Sequence, residues 1–218
     1  PRPMEKATIF DAASLTKVVA TTTCIMILME QGKLKLADPV GKHIREFSVP
    51  TKNGTTIHHL LPHPPGLPPI LPREPAWSGY TTGIRLATAL DARAKPGEKY
   101  RYSDVNFILL GEIVRRLSGQ SLKQFAKEKV FEPLGMRNTG FVLHPSAYPR
   151  AAPTTRENGV LLQGVVHDPS ARAMGGIAGH AGMFTTAPDL ARFCRMVTGN
   201  GALGKVRILS AATVKKMA

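Results

Sequence analysis

The stretch from Leu15 to Met29 constrains this chain most, because apolar or small residues fall on every side of it. Val18, Val19, Ala20, Cys24, Ile25, Met26, Ile27 and Leu28 leave almost no polar face, and a helix of that kind needs packing all round. The run from Val18 to Met29 is broken by Thr21, Thr22 and Thr23 and is too short to cross a bilayer, so it predicts a buried core helix. The helix is expected over Ser14 to Gln31, stopped by Gly32, where a left-handed cap is cheapest. A chain of 218 residues, 43% hydrophobic, can supply the surrounding core within one domain spanning residues 1–218.

Further helices follow from the spacing of apolar positions. One is expected over Thr82 to Ala94, closed by the turn signal "KPGEK". The next starts at Ser103, with Phe107, Leu110, Val114 and Leu117 on one face and Gly119 at its end. Glu112 and Arg116 are spaced to pair on its wet side. Ser121 caps "SLKQFAKEKVF", Pro188 sits in the first turn of "PDLARFCRMVTG", and Ser210 opens a last helix. Between Thr139 and Met183, short extended pieces alternate with Gly and Pro and predict hairpins or loops. Pro62, Pro64, Pro65, Pro68, Pro69, Pro72 and Pro75 make residues 62–75 an irregular, rigid loop. The fold class expected is therefore α+β and helix-rich.

The charge of +14 raises the question of a polyanionic partner. The 29 basic residues are dispersed, and their densest clusters are pairs such as Arg115-Arg116 and Lys215-Lys216. No helix carries a basic stripe interleaved with aromatics, so no nucleic-acid partner is expected. Cys24 and Cys194 both lie in apolar helical patterns and are expected as buried free thiols. The segment "IHHLLPH" offers His58, His59 and His63 but no acidic or thiol ligand, so no metal or other cofactor is expected.

Ser14 and Lys17 carry the chemistry most worth testing. A serine followed three residues later by lysine is weak alone: nine serines and 14 lysines give about 0.6 such pairs by chance. Context adds more, because three residues along a helix place both side chains on one face, within reach for proton transfer. Free N–H groups at a helix start favour an oxyanion. Lys17 is the only charged residue from Ser14 to Met29, and an apolar setting should weaken its hold on a proton, as a general base requires. The opposing reading is that Ser14 caps the helix and Lys17 snorkels out of it. Tyr102, in "YRYSDVNF", immediately precedes a helix start, where a phenol beside a cationic lysine can relay a proton. Its opposing reading is an ordinary half-buried aromatic.

The segments "FDAASLTKVVATT", "LLPHPPGLPP", "YRYSDVNFILLGEIV" and "VVHDPSARAMGGIAGHAGMFTTAPDLARF" resemble, in order and over nearly the whole chain, the serine β-lactamase-like superfamily. That group includes class C β-lactamases, low-molecular-weight penicillin-binding proteins and family VIII carboxylesterases. The resemblance implies that Ser14 is acylated, Lys17 activates it and Tyr102 shuttles the proton. Asp104 stands where the family's Y-x-N motif has asparagine and is the implied substrate-binding residue; the Y-S-D form resembles the esterase-like branch. His63 is expected to be structural. "HAG" at His180, Ala181 and Gly182 matches an earlier loop rather than the family's third motif, K-T-G or H-T-G.

The resemblance also implies that the strands before the nucleophile helix and the third-motif strand fall outside this chain. What is expected is the helical part of the serine β-lactamase-like fold, truncated at both ends, with most of its antiparallel sheet missing. The oxyanion hole would then lack the N–H that strand supplies. The function implied is acyl-enzyme hydrolysis of small esters, with weak β-lactam hydrolysis as a side activity. The alternative is a non-catalytic or peptidoglycan-peptide-binding remnant. The expected partners are an ester or lactam substrate and, to cover the apolar helix, a second copy or a complementing segment. No compartment follows from the sequence.

Overall fold

The computed structural model describes residues 3–48, 52, 54–63, 66–92 and 101–217. Among them, the helices are α1 (Thr23–Glu30), α2 (Val40–His43), α3 (Ile57–Leu60), α4 (Tyr80–Ala89), α5 (Asp104–Ser118), α6 (Leu122–Ala126), α7 (Pro169–Ala173), α8 (Ala187–Thr198) and α9 (Ala211–Met217). The strands are β1 (Phe10–Asp11), β2 (Gly140–Phe141), β3 (Pro153–Glu157), β4 (Val160–Gln163), β5 (Met183–Thr185), β6 (Ala202–Leu203) and β7 (Val206–Arg207). β5 lies between β1 and β2 in one antiparallel sheet, while β3–β4 and β6–β7 form separate pairs. No helix among the described residues is long and apolar enough to cross a membrane.

The apolar stretch at the N-terminal end folds as expected but not as one regular helix. Lys17–Thr22 forms a π-helical turn that runs directly into α1. Thr23 Oγ1 donates to the carbonyl of Val18, five residues back, which is the reach that π spacing allows. Gly32, at φ +70°, follows the helix in the left-handed conformation a side chain would disfavour. Val19, Ala20, Cys24, Ile25, Met26, Ile27 and Leu28 are buried, whereas Leu15 and Val18 stay half exposed. The bare side is thus narrower than the pattern suggested.

α5 is the other central element and is buried without interruption from Val105 to Val114. It packs against the π turn, α1, α4 and α6. This overturns the wet-side placement of Glu112, whose side chain is 1% exposed. Its carboxylate takes Arg115 Nε at 2.7 Å, Arg116 Nε at 2.7 Å and the Tyr80 hydroxyl at 3.0 Å. Periodicity gave the pairing with Arg116; it could not show that α4 brings Tyr80 against that face.

Other boundaries shift for local reasons. α4 starts at Tyr80 rather than Thr82, after Gly79 at φ +95°, and ends at Ala89 rather than Ala94, because Leu90 turns extended; the "KPGEK" turn lies outside the described residues. Pro64 and Pro65 of the proline loop do too. Ser103 precedes α5 but does not cap it, because its hydroxyl donates to the Pro68 carbonyl at 2.7 Å. Ser121 accepts from Gln124 N–H, as a cap does. Within 139–183, the expected hairpin appears as β3–β4, but α7 is an unexpected helix, capped by Asp168 with Pro169 in its first turn. Cys24 is buried, and burial pushes its thiol well up. Cys194 is exposed, contrary to expectation, because α8 turns Asp189, Phe193 and Met196 inward and leaves the adjacent position outside.

Candidate active site

Ser14 is presented by a strained turn at the end of β1. Phe10 and Asp11 pair with Thr185 and Phe184, and Ala12 N–H donates to the Met183 carbonyl at 2.8 Å. Ala13 then adopts φ +44°, rare for a residue with a Cβ and costly by about 1 kcal/mol or more. Asp11 holds it there: one carboxylate oxygen accepts from Ala13 N–H at 2.8 Å, the other from His167 N–H at 2.7 Å. The chain then turns so that Ser14 stands exposed at the mouth of the π turn.

Two proton-carrying groups reach Ser14. Lys17 Nζ lies 2.8 Å from Ser14 Oγ, and the Tyr102 hydroxyl lies 2.7 Å from the same atom. Lys17 is 3% exposed, and its Nζ also contacts Asp104 Oδ1 at 2.7 Å and the His180 carbonyl at 3.1 Å. It lies 4.7 Å from the centre of the Tyr102 ring. The purely apolar setting expected for Lys17 is therefore corrected: α5 delivers a carboxylate to it from Asp104. Three acceptors surround Nζ, and one of them, Ser14 Oγ, can become the donor when the amine is neutral.

The proline loop sets Tyr102. The His63 ring stacks on the Tyr102 ring at 4.4 Å and accepts the Ser103 N–H at Nδ1. Arg101 N–H donates to the His63 carbonyl, and Asp104 N–H to that of Pro69 at 2.7 Å. Burial, then the charge of Lys17, push the His63 imidazole below its usual range, which suits a ring nitrogen that accepts from the backbone. His63 positions Tyr102 and Ser103. The trio His58, His59 and His63 does not converge through these contacts: His59 Nδ1 instead accepts from Thr56 N–H at 3.1 Å.

Opposite the proline loop, the segment 179–183 is fastened at three points to the π turn and to Thr16 just before it. Thr21 Oγ1 donates to the Gly179 carbonyl, Lys17 Nζ to the His180 carbonyl, and Met183 N–H to Thr16 Oγ1. Its approach to α5 requires glycine: a Cβ on Gly179 would fall 1.9 Å from the Phe107 carbonyl oxygen. His180 is 1% exposed, and its Nε2 lies 2.8 Å from Asp168 Oδ1, so Nε2 carries the hydrogen. The same carboxylate oxygen accepts the Ala171 N–H at 2.7 Å. Burial pushes Asp168 up, but His180, the Ala171 N–H and Lys17 outweigh it and bring its carboxyl down to about 2.

All four residues singled out from the sequence (Ser14, Lys17, Tyr102 and Asp104) thus meet at one place. Asp168 was missed and His180 set aside. The Asp-Pro pair at 168–169 signals a helix start, but nothing local signals the His180 contact. One side-chain triplet among the described residues, Asp104, Asp168 and His180, converges within 4.8 Å, as metal ligands would. With the Lys17 amine 2.7 Å from Asp104, we read these groups as partners of Lys17 rather than as metal ligands. Beside Ser14 opens a groove of about 710 Å³, lined among others by Leu15, Val18, Leu61, Tyr102 and Met217.

The family model described as Beta-lactamase matches residues 1–218. A relative from Escherichia coli O157:H7, named "Putative D-alanyl-D-alanine carboxypeptidase", is 34% identical over 239 residues, covering 95% of this chain and 55% of its own length. The chain thus spans about half the length of the curated relatives it matches. The solved octameric penicillin-binding protein homologue from Pyrococcus abyssi superposes with a TM-score of 0.78 at 28% identity, covering 98% of this chain and 49% of that one. The solved structure titled "EstCE1, a hydrolase with promiscuous acyltransferase activity" gives a TM-score of 0.75 at 27% identity, with coverages of 98% and 64%.

Proposed function

The chain belongs to the beta-lactamase family, whose model spans residues 1–218, and from that premise we propose a serine hydrolase that acts on small esters through an acyl-enzyme at Ser14. The supporting observation is that Ser14 Oγ has Lys17 Nζ at 2.8 Å on one side and the Tyr102 hydroxyl at 2.7 Å on the other. Ser14 Oγ attacks the acyl carbon while neutral Lys17 Nζ takes its proton. Tyr102 gives its proton to the leaving oxygen and is reprotonated by the Lys17 ammonium, which holds the proton taken from Ser14. Water then attacks the acyl carbon and passes a proton to neutral Lys17 Nζ, Ser14 Oγ leaves and takes that proton back, and the acid is released.

Small esters are favoured over β-lactams because Asp104 is already engaged with Lys17 and brings a negative charge where the motif's asparagine would offer an amide. Lactam hydrolysis is a side activity. The name of the Escherichia coli relatives supports a second reading, cleavage of peptides ending in D-alanyl-D-alanine. The half-exposed Leu15 and Val18, together with the octameric title of the Pyrococcus structure, support self-association across the groove.

Intact mass after exposure to a fluorophosphonate and, separately, to a penicillin tests the reading, with peptide mapping to locate the adduct. A fluorophosphonate adduct on Ser14, absent from Ser14→Ala, is expected. A label elsewhere, or none, would leave the non-catalytic, peptide-binding alternative. Release of D-alanine faster than hydrolysis of p-nitrophenyl acetate would favour the second reading.

A further inference from the structure

We propose that Asp168 and His180 form a positioning pair for Lys17, setting the place of its amine and the pH at which it can accept a proton. The inference rests on the reading of Lys17 as the base. Residues 179–182 are Gly, His, Ala and Gly, so the His180 ring is the only polar side chain that this stretch itself contributes. The ring is 1% exposed and held at Nε2 by Asp168, and Asp168 is itself fixed by the Ala171 N–H at the start of α7. The carbonyl of the same residue takes Lys17 Nζ at 3.1 Å. Ring, carbonyl and amine are thus one rigid chain of contacts.

The second component is charge. Carboxylate oxygens of Asp104 and Asp168 lie within 4.8 Å of one another, and Lys17 interacts electrostatically with Asp168 as well as contacting Asp104. Lys17 is therefore faced by Asp104 and Tyr102 from the α5 side, His63 from the proline loop, and Asp168 and His180 from the α7 and 179–183 side. Asp168 is the second carboxylate beside this amine, and the charge of Lys17 is one of the causes that hold the Asp168 carboxyl low. Among the described residues His180 Nδ1 has no hydrogen-bond partner, so the ring is held through Nε2.

The test uses Asp168→Asn, whose carbonyl can still accept from Ala171 N–H and His180 Nε2 while removing the charge. Lysine Cε resonances are followed by ¹³C NMR against pH, with Lys17 assigned by its loss in Lys17→Arg. In Asp168→Asn the Lys17 midpoint is expected to fall by about half a pH unit or more, since removing a nearby anion weakens the ammonium. An unchanged midpoint would overturn the electrostatic part. Fluorophosphonate labelling supplies the rate: its acid limb should move to lower pH in Asp168→Asn. His180→Ala should slow labelling about tenfold, and His180→Gln, whose amide N–H can reach Asp168, should recover most of the loss. Equal rates in His180→Ala and wild type would overturn the positional part. If wild-type protein is not labelled at all, the hydrolase reading fails, whereas the NMR midpoint still decides whether Asp168 governs Lys17.

Discussion

Lys17 Nζ and Asp104 Oδ1 lie 2.7 Å apart, an ion pair that joins the π turn carrying the candidate base to the first residue of α5. The side chain at the motif's asparagine position is thereby turned, as a carboxylate, toward the chain's own amine. p-Nitrophenyl acetate is expected to be hydrolysed more efficiently than nitrocefin. Asp104→Asn should raise the nitrocefin-to-ester ratio by about tenfold, the value of one hydrogen bond to a charged or amide group. Steady-state kinetics on both substrates decide it, and an unchanged ratio would remove Asp104 from substrate choice.

Tyr102→Phe is expected to lower ester turnover by ~100-fold or more, the usual contribution of general acid–base assistance. Only the hydroxyl that meets Ser14 Oγ at 2.7 Å is lost, while the ring remains on His63. An unchanged circular dichroism spectrum with a rate change under about threefold would return Tyr102 to a packing role.

Lys17→Arg should abolish acylation, because a guanidinium stays protonated and cannot take the Ser14 proton. Its planar fork would also replace a compact amine that now meets Ser14, Asp104 and His180 together. Labelling at the wild-type rate would exclude Lys17 as the base.

How much of this was legible in the sequence depended on distance along the chain. Ser14 and Lys17 are three residues apart, so helical geometry alone put them together. Tyr102 reaches Ser14 across 88 residues, and only the resemblance to known motifs placed it there. The Asp104 contact with Lys17 and the Asp168 contact with His180 left no local trace, since each depends on how loops fold over α5 and α7. Periodicity found the apolar face of α5 but not that α4 covers the opposite one, which is why Glu112 was expected in water. The π turn was equally invisible, because the five apolar or small residues that follow Lys17 in it are compatible with α or π spacing.

Glu112 offers a stability test away from Ser14. Burial pushes its carboxyl up, but hydrogen bonds from Arg115, Arg116 and Tyr80 outweigh that and hold it below the usual range. A carboxyl depressed in the folded chain stabilises above its unfolded value and loses that contribution as the pH falls through its folded value. Glu112→Gln should therefore cost about 3 kcal/mol at neutral pH, as for one partner removed from a buried ion pair. Chemical denaturation at several pH values should show the gap between variant and wild type closing on acidification below the ordinary carboxyl range. A gap independent of pH would mean that shape, not charge, holds α4 to α5.

The groove beside Ser14 gives the last prediction. Leu15 and Val18 are 45% and 49% exposed, and they share the groove with the half-buried Leu36, Leu61 and Met217. Apolar side chains facing water in one continuous strip favour association, at about 25 cal/mol for each Å² covered. The chain is expected to self-associate here, and a neighbour lying against Ser14 could supply a backbone N–H to the developing oxyanion. Light scattering should then show the average mass falling on dilution, with the fluorophosphonate labelling rate per chain falling in parallel. Val18→Ser, which shortens the apolar strip without touching Ser14, Lys17 or Tyr102, should shift both curves to higher concentration. A monodisperse monomer whose labelling rate ignores dilution, and which binds no hydrophobic dye, would show that the chain needs no neighbour at this face.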